Sequence, residues 1–493
     1  MPQHIHFVDL TLRDGQQSLA ATRMTTPQAL RVLKMMEDTG FETLELWGGA
    51  TLDSCVRFLN EDPWERLDTF RKTLGQTTQI RALLRGQNLF AYQPFPDDLV
   101  IAFTQEAVRS GVGVMRIFDA LNDLRNLQMT LLATKAYGGK VEAAISYTTS
   151  PVHTTDYFVE LALTLQNSGA DRLAVKDMAG LLAPTTAMDL FRKLRERITI
   201  PITFHSHTTA GVATLNAVIA MQTGIDAIDT AITPFAGGTS HPPVELLIAF
   251  AEAMGLQHGL DKQLLLQIQA RLFEVLAELR EFAPSYGTHR PVHFKDIDEK
   301  VINDIVALVS RGDEAALDTA LRLTRSMMAE LGYPAFDPQI FTTQIPGGML
   351  TNLRNQLQQM GKLDLLEQIM VEIPTVRADV GYVPMVTPTS QIVASQATFN
   401  VILGRYQMIS NEFKMLLRGE FGRLPALPNP DVLRQALMNG EEPLRYRPAS
   451  YLSPVMEDTY DLPFIKTHRD LLLHLMLKQP ADEFLKRKYQ AAS

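Results

Sequence analysis

The chain has almost no cysteine: Cys55 stands alone among 493 residues. An internal disulfide is therefore excluded, and so is a zinc site built on several cysteines of one chain. A reducing cytoplasm is the expected setting. Basic charge is not in excess either. Lys and Arg number 46 against 55 Asp and Glu, for a net charge of −9. That balance argues against a general nucleic-acid surface, where clustered cations are needed, yet leaves room for a local arginine cluster facing an anionic substrate. No run of about 18 apolar residues suggests a membrane span. The opening MPQHIHFVDL lacks the apolar core of a secretory signal.

What is present is rhythm. Short apolar or β-branched runs occur at 5–9, 43–47, 80–84, 114–118, 142–147, 172–175, 201–205 and 226–231. Between them lie amphipathic stretches such as 27–39, 97–110, 122–137, 155–168, 184–197 and 208–222, with apolar residues at helical spacing. Gly40, Gly111, Gly169 and Gly224 stand where helices should stop. Eight strand–helix units of about 30 residues predict a parallel (β/α)8 barrel. An open doubly wound sheet is the alternative, but no strand–GxGxxG–helix segment supports it.

Beyond about residue 260 the pattern becomes mainly helical. Long helices are expected over 261–281 and 299–331, then at 349–370, 389–404, 430–439 and 468–477. The expected division is a barrel domain over 1–300, a helical domain over 301–480 and a tail over 481–493.

Barrel enzymes gather reactive groups at the C-terminal ends of their strands. Here those ends carry Asp9, Arg13 and Asp14, then Trp47, Arg85, Asp119, Lys176 with Asp177, and His205 with His207. Residues i and i+2 of a strand share a face, so two imidazoles could hold one divalent cation. A hydrogen-bonded polar pair at a strand end reads equally well. Asp14 would add a carboxylate suited to zinc, manganese or cobalt. Lys176, if buried beside a metal, could shed its proton and take up CO2 as a carbamate. Arg13 and Arg85 would offer fixed positive charge to a 2-oxo acid and its enolate, although each alone reads as a salt-bridge residue. His153 reads as a loop residue, IPGG at 345–348 as a tight turn, and Cys55 as buried filler.

Several motifs follow one another in order: DLTLRDGQQSLAATRM, LELWGGATLDSCVRFLNEDPWERL, LLRGQNLFAY, FDALND, SYTTSPVH, AVKDMAG, FHSHTTAG, IPGGMLTNL and PMVTPTSQIV. Together they resemble the carboxyltransferase part of biotin-dependent enzymes: oxaloacetate decarboxylase α subunits, transcarboxylase 5S subunits and pyruvate carboxylases. The resemblance implies a TIM barrel with a helical domain forming a funnel over its mouth. It implies metal binding by Asp14, His205 and His207, with Lys176 as a carboxylated ligand. Gln17 and Arg85 would hold the 2-oxo acid, with Arg13 nearby. Thr387 would relay a proton between biotin and enolpyruvate, and Asp53, Tyr92 and Ser390 would seat biotin. The implied reaction moves CO2 between oxaloacetate or pyruvate and biotin, most like an oxaloacetate decarboxylase α-type subunit. A metal-dependent barrel lyase or synthase of the isopropylmalate synthase or HMG-CoA lyase type is the alternative.

Where the family pattern reads Ala-His-Gln, this chain has Gly15, Gln16 and Gln17; where it has cysteines, this chain has Leu46 and Ser206. No Met-Lys-Met biotinylation triplet is found, and the nearest lysines, Lys34 and Lys414, fall in expected helices. Biotin is therefore expected on a separate carrier protein, as in 5S-type assemblies, unless the sequence is a piece of a longer chain. Family members are commonly homodimers, and some dock on membrane sodium pumps.

Overall fold

The computed structural model describes residues 4–91, 93–283, 287–345, 353–354, 357–358, 360–437, 441–456 and 462–490. Eight parallel strands close into one barrel: β1 (His6–Asp9), β2 (Thr43–Gly48), β3 (Gln79–Leu84), β4 (Val112–Phe118), β5 (Lys140–Ser146), β6 (Arg172–Asp177), β7 (Ile202–Ser206) and β8 (Ala227–Thr230). β1 pairs with both β2 and β8, which closes the ring. All eight fall where the apolar runs predicted them.

Eight helices wrap the barrel: α1 (Thr26–Thr39), α2 (Pro63–Thr73), α3 (Asp97–Arg109), α4 (Gln128–Ala136), α5 (Thr155–Asn167), α6 (Pro184–Arg197), α7 (Ala213–Thr223) and α8 (Val244–Ala253). Their ends follow local chemistry. The Thr25 side chain accepts from Gln28 N at the start of α1, Gln28 reaches back, and Gly40 ends the helix at φ 109°. The expected helix over 208–222 begins later, at Ala213, because Gly211 turns left-handed and its N–H closes a turn on Thr208 O.

Beyond the barrel lie α9 (Lys262–Glu278), α10 (Glu299–Arg311), α11 (Glu314–Glu330), α12 (Leu366–Asp379), α13 (Thr389–Leu403), α14 (Asn411–Leu417), α15 (Pro430–Ala436), α16 (His468–Leu477) and α17 (Gln479–Gln490). The single helix expected over 299–331 is two. Gly312, at φ 70°, ends α10, and the Asp313 side chain caps α11 by accepting from Ala316 N. Much of 349–370, with Pro346, Gly347 and Gly348 of the IPGG turn, lies outside the described residues.

Apolar packing does not divide at residue 300. The main core joins the barrel to α10, α11 and residues 464–485, including Leu472, Leu473, Phe484 and Leu485. The expected tail over 481–493 is thus helical as far as Gln490, with Ala481, Phe484 and Leu485 buried. A second core unites residues 345–436, among them Ile373, Val376, Val383, Val393 and Phe413, with one barrel-loop residue, Leu121. We call this second unit the lid. It is tied to the loops after β4 and β5: Asn126 Nδ2 donates to Phe421 O at 2.8 Å, Arg423 N to Asp123 Oδ2 at 2.7 Å, and Gln344 Nε2 to Thr149 O at 3.0 Å. Those loops lie at the C-terminal ends of the strands, so the lid covers the end where the reactive residues gather.

Candidate metal centre

β1 ends in a wide helical turn, Thr11–Gly15, closed by Gly15 N donating to Leu10 O at 2.9 Å. This five-residue hydrogen bond is the π-type turn that often accompanies functional sites, and it carries Arg13 and Asp14. A methyl group at Gly15 would lie 3.0 Å from Phe235 O, which accounts for glycine at the family's alanine position. Gln16, at the family's histidine position, is buried and accepts from Met24 N at 3.3 Å.

Asp14 meets three imidazoles. Its Oδ2 lies 3.9 Å from His205 Nε2, 3.7 Å from His207 Nε2 and 3.2 Å from His241 Nε2. Ligand atoms of all four residues lie within 4.8 Å of one another, and all four side chains are buried. Each imidazole is anchored through its other nitrogen: His205 Nδ1 to Asp229 Oδ2 at 2.7 Å, His207 Nδ1 to Thr239 O at 2.6 Å, and His241 Nδ1 to Ser206 O at 3.0 Å. An acceptor at Nδ1 places the proton there and leaves the Nε2 lone pair facing Asp14. His241 Nε2 is buried with no hydrogen-bond partner among the described residues. One carboxylate and three converging lone pairs fit a divalent first-row cation.

Lys176, the penultimate residue of β6, is 2% exposed and its Nζ is 3.0 Å from His205 Nε2. Burial pushes its ammonium down to about 8; Asp14 opposes this, while Arg13 and Arg116 add to it. Burial pushes Asp14 up, but Arg13 and the imidazoles outweigh it and hold the carboxylate well below its ordinary range. Burial, reinforced by His241, pushes His207 down to about 3, and burial with Lys176 holds His205 well below its ordinary range, so these two imidazoles stay neutral.

Below the centre the barrel interior holds a layer of paired charges. Arg81 on β3 reaches Glu45 on β2 at 2.7 Å, Glu142 on β5 at 3.1 Å and Asp229 on β8 at 2.8 Å. Arg116 on β4 reaches Glu142 at 2.8 Å and also bonds Asp229. Arg13 closes the layer on Glu45 with Nε at 2.7 Å, and on Asp14 at 2.9 Å. Asp229 therefore holds His205 while two guanidiniums hold Asp229.

The remaining sequence-predicted residues take varied places. Gln17 accepts from Arg13 Nη1 at 3.4 Å, beside the centre. Arg85 follows β3 and donates to the carbonyls of Phe90 and Ala91. Asp53 pairs with Arg57 at 2.6 Å, half-exposed. Thr387 and Ser390 lie in and just after the turn between α12 and α13, on the lid. Among the described residues no hydrogen bond or ion pair joins Asp53, Thr387 or Ser390 to Asp14 or the imidazoles. Tyr92 lies outside the described residues. Sequence reading missed His241, set in GTSHPP, and the ionic layer. The layer had left a signal: the runs IRALL, VMRIF, EAAISY and DAIDTA each place an ionisable residue within an apolar strand.

A closed (β/α)8 barrel with a buried carboxylate–imidazole cluster at its C-terminal mouth and a helical lid above it defines a class of barrel protein with a candidate cation site. Similarity to known proteins narrows it. A family described as "Conserved carboxylase domain" matches residues 340–493, and one described as "HMGL-like" matches residues 119–272. A pyruvate carboxylase subunit of Methanocaldococcus jannaschii is 40% identical, with 99% of this chain and 78% of that protein covered. The methylmalonyl-CoA carboxyltransferase 5S subunit of Propionibacterium freudenreichii is 35% identical over 99% of this chain and 88% of that protein. The carboxyl transferase domain of Rhizobium etli pyruvate carboxylase, solved with pyruvate and biocytin, superposes with a TM-score of 0.79 at 26% identity, covering 98% of this chain and 77% of that one. The chain belongs to the carboxyltransferase family of biotin-dependent enzymes.

Proposed function

We propose that this protein moves a carboxyl group between oxaloacetate or pyruvate and carrier-bound biotin, as a metal-dependent carboxyltransferase of the oxaloacetate decarboxylase α type. The observation that carries the reading is the convergence of three anchored imidazoles on Asp14, with Lys176 alongside. Asp14, His205, His207 and His241 would hold a divalent cation, with Lys176 as a further ligand once carboxylated. When bound, such a cation supplies Lewis acidity toward the 2-oxo carbonyl.

The chain's own residues do the rest. Gln17, Arg13 and Arg85 offer donors and positive charge to the substrate carboxylates and to the enolate oxygen. The C3–C4 bond of oxaloacetate breaks, CO2 departs, and its electron pair stays on pyruvate as the enolate. The Thr387 hydroxyl passes the proton from biotin N1 to enolate C3, and N1 bonds the CO2. Pyruvate carboxylation is the same path reversed. Asp53, Tyr92 and Ser390 would seat the biotin ring system. The lyase or synthase alternative would not use biotin. The deciding experiment is oxaloacetate decarboxylation by metal-loaded protein with and without a biotin acceptor. Pyruvate formation that rises with biotin supports the proposal; a rate that biotin leaves unchanged overturns it.

A further inference from the structure

Arg377 on α12 is a buried cation of a different kind from those in the barrel. It is 6% exposed. Its Nε donates to Val383 O at 2.8 Å, Nη1 to Thr149 O at 3.0 Å and Nη2 to Thr148 Oγ1 at 2.9 Å. All three acceptors are neutral. Among the described residues no carboxylate pairs with it, whereas Arg13, Arg81 and Arg116 each have one. Burial pushes its guanidinium down to about 10, opposed by Tyr382 alone. A guanidinium carries five N–H donors, so two remain, one on each terminal nitrogen. Neutral donors could tie the same three acceptors; a desolvated positive charge calls for an anion.

A cavity of about 370 Å³ lies against this side chain, lined by Thr149, Ser150, Thr342, Pro374 and Tyr382 as well. That volume suits a small organic ligand. The floor is the loop after β5, whose last residue, Ser146, pairs in register with Lys176. The roof is α12 and the residues just after it, through Pro374, Arg377 and Tyr382. The cavity therefore opens at the same end of the barrel as the metal centre, yet shares none of its residues. A single guanidinium among hydroxyls matches a planar monoanion better than a phosphate dianion, which needs more positive charge.

We propose that this cavity is a second anion site, binding a small carboxylate, either a 2-oxo acid or bicarbonate, between the barrel loop and the lid. The choice of those two anions rests on the function proposed above; the cavity itself does not.

The test is calorimetric titration of the full chain with pyruvate and, separately, with bicarbonate. It uses the metal-loaded protein and a His207→Ala variant that disables the metal centre. In His207→Ala, at least one anion should still bind, at one site per chain. Arg377→Gln in that background should weaken binding at least tenfold, and Arg377→Lys by less. Thr342→Trp, which fills the cavity from its exposed rim without touching the three bonds of Arg377, should also abolish it. The anion that binds identifies the source. Neither anion binding to His207→Ala, or binding indifferent to Arg377→Gln and Thr342→Trp, overturns the inference. Loss of a pyruvate site between metal-loaded protein and His207→Ala tests the metal-centre reading separately.

Discussion

The barrel interior and the lid bury charge by opposite means. In the barrel, Arg13, Arg81 and Arg116 interlock with Glu45, Glu142 and Asp229 in one layer, and each of these three guanidiniums touches a carboxylate. In the lid, Arg377 leans on two carbonyls and a hydroxyl around an apolar core. The first arrangement suits a fixed frame. Replacing one member strands the others, so the imidazole held by Asp229 keeps its orientation. The second leaves positive charge unspent at a cavity. The difference suggests that the barrel positions groups while the lid receives them.

That contrast can be broken, starting with the largest effect. His207→Ala should lower carboxyl transfer by a factor on the order of 1,000 or more, and Thr387→Ala by about 100- to 10,000-fold, both read as pyruvate formed from oxaloacetate with biotin. The first should also lose metal on gel filtration; the second should keep it. Equal metal loss in both would erase the division between a frame and a receiving lid. Next comes stability. Asp229→Ala strands Arg81 and Arg116 and should cost about 3–5 kcal/mol in denaturant unfolding. Arg377→Met removes a cation that has no carboxylate and should cost less than about 2 kcal/mol. The reverse order would contradict the comparison.

The legibility of the sequence follows the same line. Strands of the barrel are buried on both faces, so their apolar runs announce themselves, and the fold places Asp14, Lys176, His205 and His207 at one end. His241 escaped because it sits in a loop after β8, joined to Asp14 across 227 residues of chain by the closure of the barrel rather than by any spacing. Thr387 and Ser390 came from resemblance alone: a hydroxyl on a lid helix has no periodicity or charge to mark it. The break at Gly312–Asp313 was readable as a stop and a cap, but continuous apolar spacing on both sides hid it.

Burial, reinforced by Arg377, pushes His153 from 6.5 down to about 4. The folded chain thus refuses a proton that the unfolded chain accepts. Stability is full above pH 6.5 and falls as pH drops toward 4, by about 3 kcal/mol for this group. Unfolding free energies of wild type and His153→Gln, from urea melts, should diverge by that amount across the window; parallel curves would mean that folded His153 takes up its proton as readily as the unfolded chain does. Asp313→Ala should lower the urea midpoint slightly through loss of the α11 cap, with no change in carboxyl transfer.

The proposed function rests on Asp14 and its converging imidazoles holding a divalent cation. Titration of chelator-treated protein with cobalt(II), followed by visible absorption, tests it most directly. A ligand-field band is expected that saturates at one ion per chain and is lost in His205→Ala. Cobalt that leaves the spectrum of the hydrated ion unchanged, or a band that survives His205→Ala undiminished, would contradict it.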